Sequence, residues 1–289
     1  MAGESWTVRK LLQWSTGWLG QKGVDSPRLD GELLLAEALK VRRLDLFLDP
    51  DRPMADDELA RFRGLIIQRG KRMSVAHILG HRGFWSLELA VTHNLLVPRP
   101  ETERLIEAAL ERQPDKEAQL TILDVGVGSG AILLALLNEW PQAVGYGVDK
   151  RWEAVACTRT NGQKLGVAKR CHLFQGDFLS ALHPQAKFNF ITSNPPYISQ
   201  AESHALSPEI AQWEDPLAWY GGEDGLDAYR QIIPQALPCL LPNGWLLLEI
   251  GAGQGREVSE LAEKAGFTEI STLQDYARRD RVVAARRPM

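Results

Sequence analysis

The sequence predicts an α/β fold in which a mostly parallel sheet lies between helices and follows a small helical domain. Over the first 80 residues, apolar positions recur at helical spacing. Farther along, short apolar runs typical of buried strands alternate with helical patterns, as in a parallel sheet covered by helices. The last two runs lie close together in the chain, which indicates an antiparallel hairpin that closes the sheet.

Size and composition agree with a globular protein of two domains. The chain has 289 residues, and one domain typically has about 100–200. Hydrophobic residues make up 44% and charged residues 24%, which excludes a disordered, fibrous or coiled-coil chain. The longest apolar run, residues 131–137, is far shorter than the roughly 20 residues that span a bilayer. We therefore expect no membrane span and no membrane partner.

Cysteine content and charge bear on location and partners. The first ten residues, MAGESWTVRK, are too polar for a signal peptide, and three cysteines are too few for a disulfide framework. We therefore expect a cytoplasmic protein. Its 33 basic and 37 acidic residues give a net charge of −4, without the positive excess typical of proteins that bind phosphate backbones. A nucleic-acid partner would have to be argued from a local feature of the sequence.

Three helical segments predict an N-terminal domain over residues 1–82. The first begins at Val8, the second follows Ser26 as an N-cap with Pro27 in the first turn, and the third begins near Asp56. Their expected apolar faces contain Leu11, Leu12, Trp18, Leu19, Leu29, Leu33, Ala36, Leu59, Phe62 and Ile66. Five basic residues form what we call the basic edge: Arg61, Arg63, Arg69, Lys71 and Arg72. This edge is either a solvated helix face or a docking surface for an acidic partner.

The apolar spacing changes from helical to alternating around Phe84. Alternation at every second residue is typical of a strand, and it is carried by Trp85, Leu87, Leu89 and Val91. We therefore expect a linker with short strands at residues 83–98 and a second domain at residues 99–289. The strands predicted in this domain are residues 120–125, 143–149, 171–174, 188–193, 245–250, 269–273 and 281–287.

A glycine-rich loop follows the first of these strands. Gly126, Gly128 and Gly130 allow a tight turn and let a ligand approach backbone N–H groups where a helix begins. The next strand ends at Asp149, whose carboxylate can accept hydrogen bonds from both hydroxyls of a ribose. Together these features predict a nucleoside site. The loop alone fits S-adenosylmethionine, a nicotinamide or flavin cofactor, or merely a tight corner.

The third strand is followed at the same sheet edge by Gly176, Asp177 and Phe178. The Asp177 carboxylate can accept from an adenine amino group, and the phenyl ring of Phe178 can pack on the base. Phe178 is explained equally well as a core residue.

The fourth strand ends in Asn194, Pro195, Pro196 and Tyr197, and this tetrapeptide indicates the chemistry. Proline restricts its own backbone and that of the preceding residue, so the corner is stiff and its carbonyls are free to accept hydrogen bonds. The Asn194 oxygen and a backbone carbonyl can hold one planar amino group by its two hydrogens, while Tyr197 supplies a flat face. Such a corner suits an exocyclic or amide NH2 rather than an alcohol.

The chain resembles the PrmC/HemK family of class I methyltransferases, which modify glutamine in peptide-chain release factors. The similarity covers nearly the whole chain, including segments outside the common methyltransferase core. Its segments are LDGELLLAEAL, AHILGHRGFWSLEL, LLVPRPETE, DVGVGSGAI, NPPYI, GGEDGLDAYRQI, LLLEIGAGQG and DYARRDRVV. The resemblance implies a Rossmann-like, seven-stranded catalytic domain after a helical substrate-recognition domain.

The resemblance also implies an activity and site residues. The expected reaction moves a methyl group from S-adenosyl-L-methionine to N5 of the glutamine in the GGQ motif of class 1 release factors, leaving S-adenosyl-L-homocysteine. We expect that no metal takes part and that the protein is a monomer. Cofactor contacts are assigned to Gly126, Val127, Gly128, Ser129, Gly130, Asp149, Asp177, Phe178 and Asn194. The substrate contacts are assigned to Asn194, Pro195, Pro196 and Tyr197, of which Asn194, Pro195 and Tyr197 are the expected catalytic residues.

Alternatives and departures accompany this prediction. Other readings are a methyltransferase for the N6 of adenine or N2 of guanine in nucleic acid, a ribosomal-protein glutamine methyltransferase, a noncatalytic nucleoside-binding module and an NAD-dependent oxidoreductase. The chain departs from the family pattern at His77, Ser86, His93 and Asp215.

The 24 residues from Ile198 to Gly221 are long for a structureless connection, so we expect a mobile segment that orders over the substrate.

Overall fold

The computed structural model describes residues 5–180, 182–183 and 185–289. These residues form two compact units. The helical unit holds the described residues through His81 together with Ser207–Trp213, and the sheet unit holds Arg82–Leu206 and Glu214–Met289. The ranges predicted above for separate domains stay predictions, and the membership of Ser207–Trp213 in the helical unit was not predicted.

The elements of the described residues follow in chain order. The α-helices are α1 (Val8–Gln21), α2 (Pro27–Leu39), α3 (Asp56–Gly70), α4 (Val75–Leu79), α5 (Glu103–Arg112), α6 (Ala131–Glu139), α7 (Trp152–Lys164), α8 (Gln200–Ser203), α9 (Pro208–Ala211), α10 (Asp227–Cys239) and α11 (Gly255–Ala265). The strands are β1 (His81–Phe84), β2 (Leu87–Ala90), β3 (Thr121–Val125), β4 (Val144–Asp149), β5 (Cys171–Gln175), β6 (Phe188–Ser193), β7 (Leu240–Glu249), β8 (Thr268–Gln274) and β9 (Asp280–Arg286).

Helices α1 to α3 of the helical unit begin where the sequence predicts. The helix α2 starts at Pro27 directly after Ser26, although the Ser26 side chain makes no capping hydrogen bond. Its predicted apolar face was wrong at Leu29, which is 41% exposed, and correct at Ala36, which is buried. Leu34 and Leu35 are fully buried and were not predicted. Three consecutive leucines in this helix leave its periodicity without a unique apolar face.

Two residues of the basic edge, Arg69 and Arg72, pair with carboxylates within the helical unit. Arg69 is only 5% exposed and donates to Asp30 Oδ2 at 2.6 Å and to Glu209 Oε1 at 2.8 Å. Arg72 donates to Glu209 Oε2 at 2.7 Å. The prediction of a solvated basic face is therefore wrong for Arg69, since three elements of the unit enclose its guanidinium.

Where the sequence predicts one alternating strand, the structure contains a hairpin. The strands β1 and β2 pair with each other, and Trp85 lies in the turn between them with a φ of 54°. The alternation continues only from β2 onward, where Leu87, Leu89 and Val91 are buried. Trp85 instead fixes the turn, because its Nε1 donates to Glu139 Oε1 at 2.8 Å.

The sheet unit confirms the predicted fold class. Its seven strands lie in the order β5-β4-β3-β6-β7-β9-β8, and all neighbours from β5 to β7 are parallel. The strand β9 is antiparallel to both β7 and β8, as the closing hairpin predicts. The start of β7 differs most from its prediction, since pairing with β6 begins at Leu240 rather than Trp245.

The core packs against the central strands of the sheet. The helix α6 is buried over Ala131–Leu137, and Trp140 after it stacks on Phe190 of β6 with ring centroids 5.5 Å apart. The chain order reverses between β3 and β6, because β4 lies on one side of β3 and β6 on the other. Open α/β sheets bind ligands at the carboxyl ends of strands beside such a reversal.

Within the ranges that the structure describes, no helix is both long enough and apolar enough to span a membrane.

Candidate active site

A cavity of about 340 Å³ opens at the carboxyl edge of the sheet unit, within the size range of small-molecule sites. It collects residues that follow four different strands. The predicted residues among its lining are Gly126, Val127, Gly128, Ser129, Asp149, Asp177, Phe178, Asn194 and Pro196. Three further predicted residues lie outside this lining: Gly130, Pro195 and Tyr197.

The glycines of the loop after β3 have different structural roles. Gly126, Gly128 and Gly130 have φ angles of 75°, 56° and 86°, which favour glycine. A Cβ at Gly126 would meet no atom within 4 Å, whereas one at Gly130 would lie 2.7 Å from Leu134. The first part of the loop therefore leaves space on the cavity side. The missing side chain at Gly130 lets the loop pack closely against α6 and α7.

Asp149 connects the glycine loop to the end of β4. Its Oδ2 accepts from the Gly128 N–H at 3.0 Å, and its Oδ1 accepts from the Arg151 N–H at 2.9 Å. Burial raises the pKa of Asp149, while these two backbone donors lower it. Each carboxylate oxygen has a second lone pair, so the group can still accept from a diol in the cavity.

Asp177 and Phe178 line the cavity beyond β5. Asp177 is exposed and pairs with Lys150 Nζ at 3.1 Å. Phe178 is half-buried and has a φ of 48°, which is unusual for an aromatic residue and places strain at the cavity. Phe178 also packs against a buried hydrophobic cluster formed by residues of β3, β6, β7 and α10. Its position is therefore compatible with both a core role and a ligand role.

The corner after β6 places Asn194 at the cavity and Tyr197 over a buried carboxyl group. Asn194 is half-buried, and its Nδ2 donates to Thr102 Oγ1 at 3.3 Å, so its Oδ1 remains an available acceptor. The Tyr197 hydroxyl donates to Glu249 Oε1 at 3.4 Å. Burial and the nearby Glu249 raise the pKa of Tyr197, which keeps the phenol neutral.

Thr102 and Glu249 are site residues that the sequence reasoning missed. Thr102 is 3% exposed and lines the cavity, and Glu249 is 1% exposed at the carboxyl end of β7. Burial raises the pKa of Glu249 to about 7, although the Thr102 hydroxyl and the Arg281 guanidinium lower it. The available sequence signal for Glu249 was a single acidic residue near the end of the apolar run WLLLEI. In the structure, the strand that contains this run pairs with the strand that precedes the proline corner.

The segment after the corner contains short helical turns. Ser199 caps α8 by accepting from the Glu202 N–H, and Asp215 caps a 3-10 turn at Pro216–Ala218 by accepting from the Leu217 N–H at 2.9 Å. The segment is therefore not structureless, because capping residues stabilise short helical turns there. Its predicted mobility stays a prediction. Leu217, Ala218, Tyr220, Gly221 and Gly222 line the cavity.

None of the four departures from the family pattern is among the described residues that line the cavity. His77 is buried in α4 with its Nδ1 3.1 Å from Ser74 Oγ. Asp215 forms an ion pair with Arg151 at 3.1 Å. Among the described side chains, no group of three or more His, Cys, Asp and Glu residues is arranged to hold a metal ion.

Comparisons with known proteins match both parts of the chain. The model of the PrmC N-terminal domain matches residues 10–80, and that of the methyltransferase small domain matches residues 102–212. A release factor glutamine methyltransferase of Geobacter sulfurreducens is 42% identical over 283 residues, which cover 98% of each chain. That of Cereibacter sphaeroides is 44% identical over 93% of this chain and 95% of its own.

A solved structure supports the fold alone. A 16S rRNA methyltransferase of T. thermophilus, in complex with AdoMet and guanosine, superposes with a TM-score of 0.53 at 21% identity. The match covers 72% of this chain and 49% of that one.

Proposed function

Because the chain belongs to the release factor glutamine methyltransferase family, we propose that it methylates N5 of the glutamine in the GGQ motif of class 1 release factors. The methyl donor is S-adenosyl-L-methionine, and the product is S-adenosyl-L-homocysteine. The observation that carries the proposal is the position of Asn194, whose Nδ2 is bonded to Thr102 while its Oδ1 is available beside the cavity. An amide acceptor held in this way suits a target NH2 group.

The lining of the cavity fits the proposed cofactor. Gly126, Val127, Gly128 and Ser129 present backbone at the start of α6, and Asp149 retains acceptor capacity for the ribose hydroxyls. Asp177 and Phe178 lie where an adenine amino group and ring can be held. When bound, the cofactor supplies a methyl group already activated on a sulfonium, so the chemistry needs no metal.

The residues of the chain must overcome the weak nucleophilicity of an amide, whose nitrogen lone pair is delocalised into its carbonyl. In the proposed mechanism, Asn194 Oδ1 and the Pro195 carbonyl accept from the two hydrogens of the target NH2. This contact orients the nitrogen for in-line attack and stabilises the positive charge that gathers on its hydrogens. The cofactor, if held by these residues, would supply the methyl group and leave as S-adenosyl-L-homocysteine, and the extra proton on the target nitrogen would pass to solvent.

The corner residues also define the shape of the substrate site. Pro196 lines the cavity, and the bond from Tyr197 to Glu249 fixes the direction of the phenol. The Tyr197 ring offers a flat surface to the planar amide. The two prolines limit backbone motion, so less ordering is needed when substrate binds.

Single-turnover methylation of a purified release factor at saturating cofactor tests the role of Asn194. Asn194→Ala should reduce the rate by about 10²–10³, by analogy with the loss of one oriented donor in an oxyanion hole. Cofactor affinity should change much less. Asn194→Asp keeps an acceptor but adds a charge near the sulfonium, so we expect tighter cofactor binding with slower transfer. A wild-type rate in Asn194→Ala would contradict the assigned role.

The substrate class is tested with labelled cofactor and a whole-cell extract. Label in a release factor supports the proposal. Label in a ribosomal protein, in RNA or in DNA would contradict it and would favour one of the alternative methyltransferase activities. An extract from cells that lack this enzyme provides unmodified substrate, and Asn194→Ala serves as the control for background labelling.

A further inference from the structure

We propose that Gln254 is a positioning residue that fixes the proline corner, residues 194–197, where it can hold the target amide. The inference rests on the proposed function of the corner and extends it to a side chain that is not among the described residues lining the cavity. Gln254 belongs to the segment LLLEIGAGQG, and one of its partners belongs to GGEDGLDAYRQI. Both segments thus acquire a role at the corner.

The proline corner needs an anchor beyond its own stiffness. Pro195 and Pro196 have no backbone N–H, so neither can donate to a neighbouring strand or loop. The Pro195 carbonyl is assigned to the target amide, which leaves the later carbonyls to attach the corner to the rest of the sheet unit. Anchoring matters for the reaction, because a displacement of about 1 Å can cost about 10² in rate.

The Gln254 side chain attaches the far end of the corner to two other segments. Its Nε2 donates to the Tyr197 carbonyl at 3.0 Å and to the Gly225 carbonyl at 3.2 Å. Its Oε1 accepts from the Gly251 N–H at 3.0 Å. A carbonyl can only accept and a backbone N–H can only donate, so these partners fix the orientation of the amide. One side chain thus joins the corner, the loop before α10 and the chain just after β7.

The backbone of Gln254 is fixed at the start of α11. Its N–H donates to the Gly251 carbonyl at 3.0 Å, and its carbonyl accepts from the Val258 N–H at 3.0 Å. Val258 is fully buried, so this end of α11 is packed within the sheet unit. The amide is therefore placed by a helix with a buried face, which holds a side chain more precisely than a loop does.

The loop before α10 also supports the corner directly. The Ile198 N–H donates to the Trp219 carbonyl at 2.8 Å, and the Gly221 N–H donates to the Ile198 carbonyl at 2.9 Å. The loop thus pairs with the chain that leaves the corner. A Cβ at Gly221 would lie 2.7 Å from the Pro196 oxygen and 2.8 Å from the Tyr197 Cα, so only glycine permits this approach. Gln254 joins this loop to the corner through the two carbonyls that it holds.

Gln254→Met tests the attachment. The substitution keeps the length of the side chain but removes the hydrogen bonds of its amide, so the single-turnover rate on a release factor should fall about 10²-fold. Cofactor affinity, measured by calorimetric titration, should change much less, because most of the assigned cofactor contacts follow other strands. Gln274→Met, which removes an exposed bond to Asp280, is the control. A wild-type rate in Gln254→Met, or an equal loss of rate and cofactor affinity, would overturn the assignment.

Gln254→Glu tests whether the two donors matter and provides a second variant of nearly identical shape. A carboxylate can still accept from the Gly251 N–H, but it places an oxygen against the carbonyls of Tyr197 and Gly225. The rate should therefore fall at least as far as in Gln254→Met, again with a much smaller change in cofactor affinity. A wild-type rate in Gln254→Glu would show that the donors are not needed and would overturn the assignment.

A measurement on the wild type separates this inference from the proposed function. In ¹⁵N NMR spectra, the side-chain NH2 of Gln254 should exchange with solvent about tenfold more slowly than that of the exposed Gln274, because both of its hydrogens are bonded to carbonyls. Equal exchange would overturn the attachment whatever the enzyme methylates. Failure of the wild-type enzyme to methylate a release factor would instead refute the proposed function, and the exchange measurement would still decide the attachment.

Discussion

At the scale of single residues, the acids of the sheet unit are distinguished by burial and by their donors. Asp149 accepts two backbone N–H bonds at the cavity, Asp124 accepts from Thr192 at 2.8 Å inside the sheet, and Glu249 lies beneath the proline corner. Asp124 and Glu249 are each 1% exposed. An acidic residue can thus serve as a ligand acceptor at the cavity or as a buried hydrogen-bonding group.

Asp149→Ala should weaken S-adenosyl-L-methionine binding by about 1–3 kcal/mol, the range for hydrogen bonds to a charged group. The loss combines the proposed ribose contact with the support that Asp149 gives to the Gly128 N–H. Calorimetric titration measures the dissociation constant. Glu153→Ala, an exposed acid at the start of α7, is the matched control. An unchanged affinity in Asp149→Ala would place the ribose contact elsewhere.

Asp124 predicts a pH dependence of stability. Burial raises its pKa from 3.8 to about 8, so the folded protein binds a proton that the unfolded chain loses above about pH 4. Its contribution to stability is present below pH 4 and is lost as the pH rises toward 8. Asp124→Asn should flatten this part of the profile by a few kcal/mol, since one pKa unit corresponds to about 1.4 kcal/mol. Denaturant unfolding at several pH values measures the difference, and parallel profiles would contradict it.

At the scale of elements, capping residues determine where helices begin, and glycine positions determine how closely helices approach each other. The helix α1 begins after Thr7, whose side chain accepts from the Lys10 N–H, and Ser74 caps α4 in the same way. In α3, Gly64 has open space around it, whereas Gly70 lies against the indole of Trp18 from α1. A methyl group would therefore fit at Gly64 and would clash with Trp18 at Gly70.

Gly70→Ala and Gly64→Ala should change stability in opposite directions. A Cβ at Gly70 would lie 2.1 Å from the Trp18 ring, which stacks on Trp14, so we expect a loss of about 1–3 kcal/mol from overpacking. Gly64→Ala should gain about 0.5–1 kcal/mol, because alanine favours the helix without a clash. Chemical denaturation of the full chain measures both. Destabilisation by Gly64→Ala, or none by Gly70→Ala, would contradict the packing described for α3.

At the scale of the whole molecule, the path of the chain connects the site with the helical unit. After the proline corner the chain leaves the sheet unit at Leu206, contributes Ser207–Trp213 to the helical unit, and returns at Glu214. Within the helical unit, Glu209 bonds to both Arg69 and Arg72. The segment that follows the corner is thus held by buried charges as well as by its own turns.

Glu209→Gln should loosen Ser207–Trp213. Removing the charge leaves Arg69 without one of its two carboxylate partners in a site where its side chain is 6% exposed, and an unpaired buried charge is costly. Hydrogen exchange of residues 207–213 should speed up by at least tenfold. Glu260→Gln, which breaks an exposed pair with Arg256, is the control and should have little effect. Equal exchange in the wild type and Glu209→Gln would show that the pair does not hold the segment.

The sequence by itself determined the features that depend on neighbouring residues. Strand and helix periodicity predicted the seven-stranded sheet. The sequence motifs also predicted several residues that line one cavity, among them Gly126, Gly128, Asp149, Asn194 and Pro196. These features are local, since a backbone angle, a cap or a strand end is set within a few residues. The carboxyl ends of parallel strands meet at one edge, so the order of motifs sufficed to bring them together.

Only the tertiary structure decided the contacts between residues far apart in the chain. Thr102 meets Asn194 across 92 positions, and Glu209 meets Arg69 across 140. The buried face of α2 and the turn at Trp85 were likewise set by the surrounding core rather than by periodicity. A buried carboxylate such as Glu249 acquires its role from the donors and the low solvent access around it, and neither property is encoded in its immediate sequence.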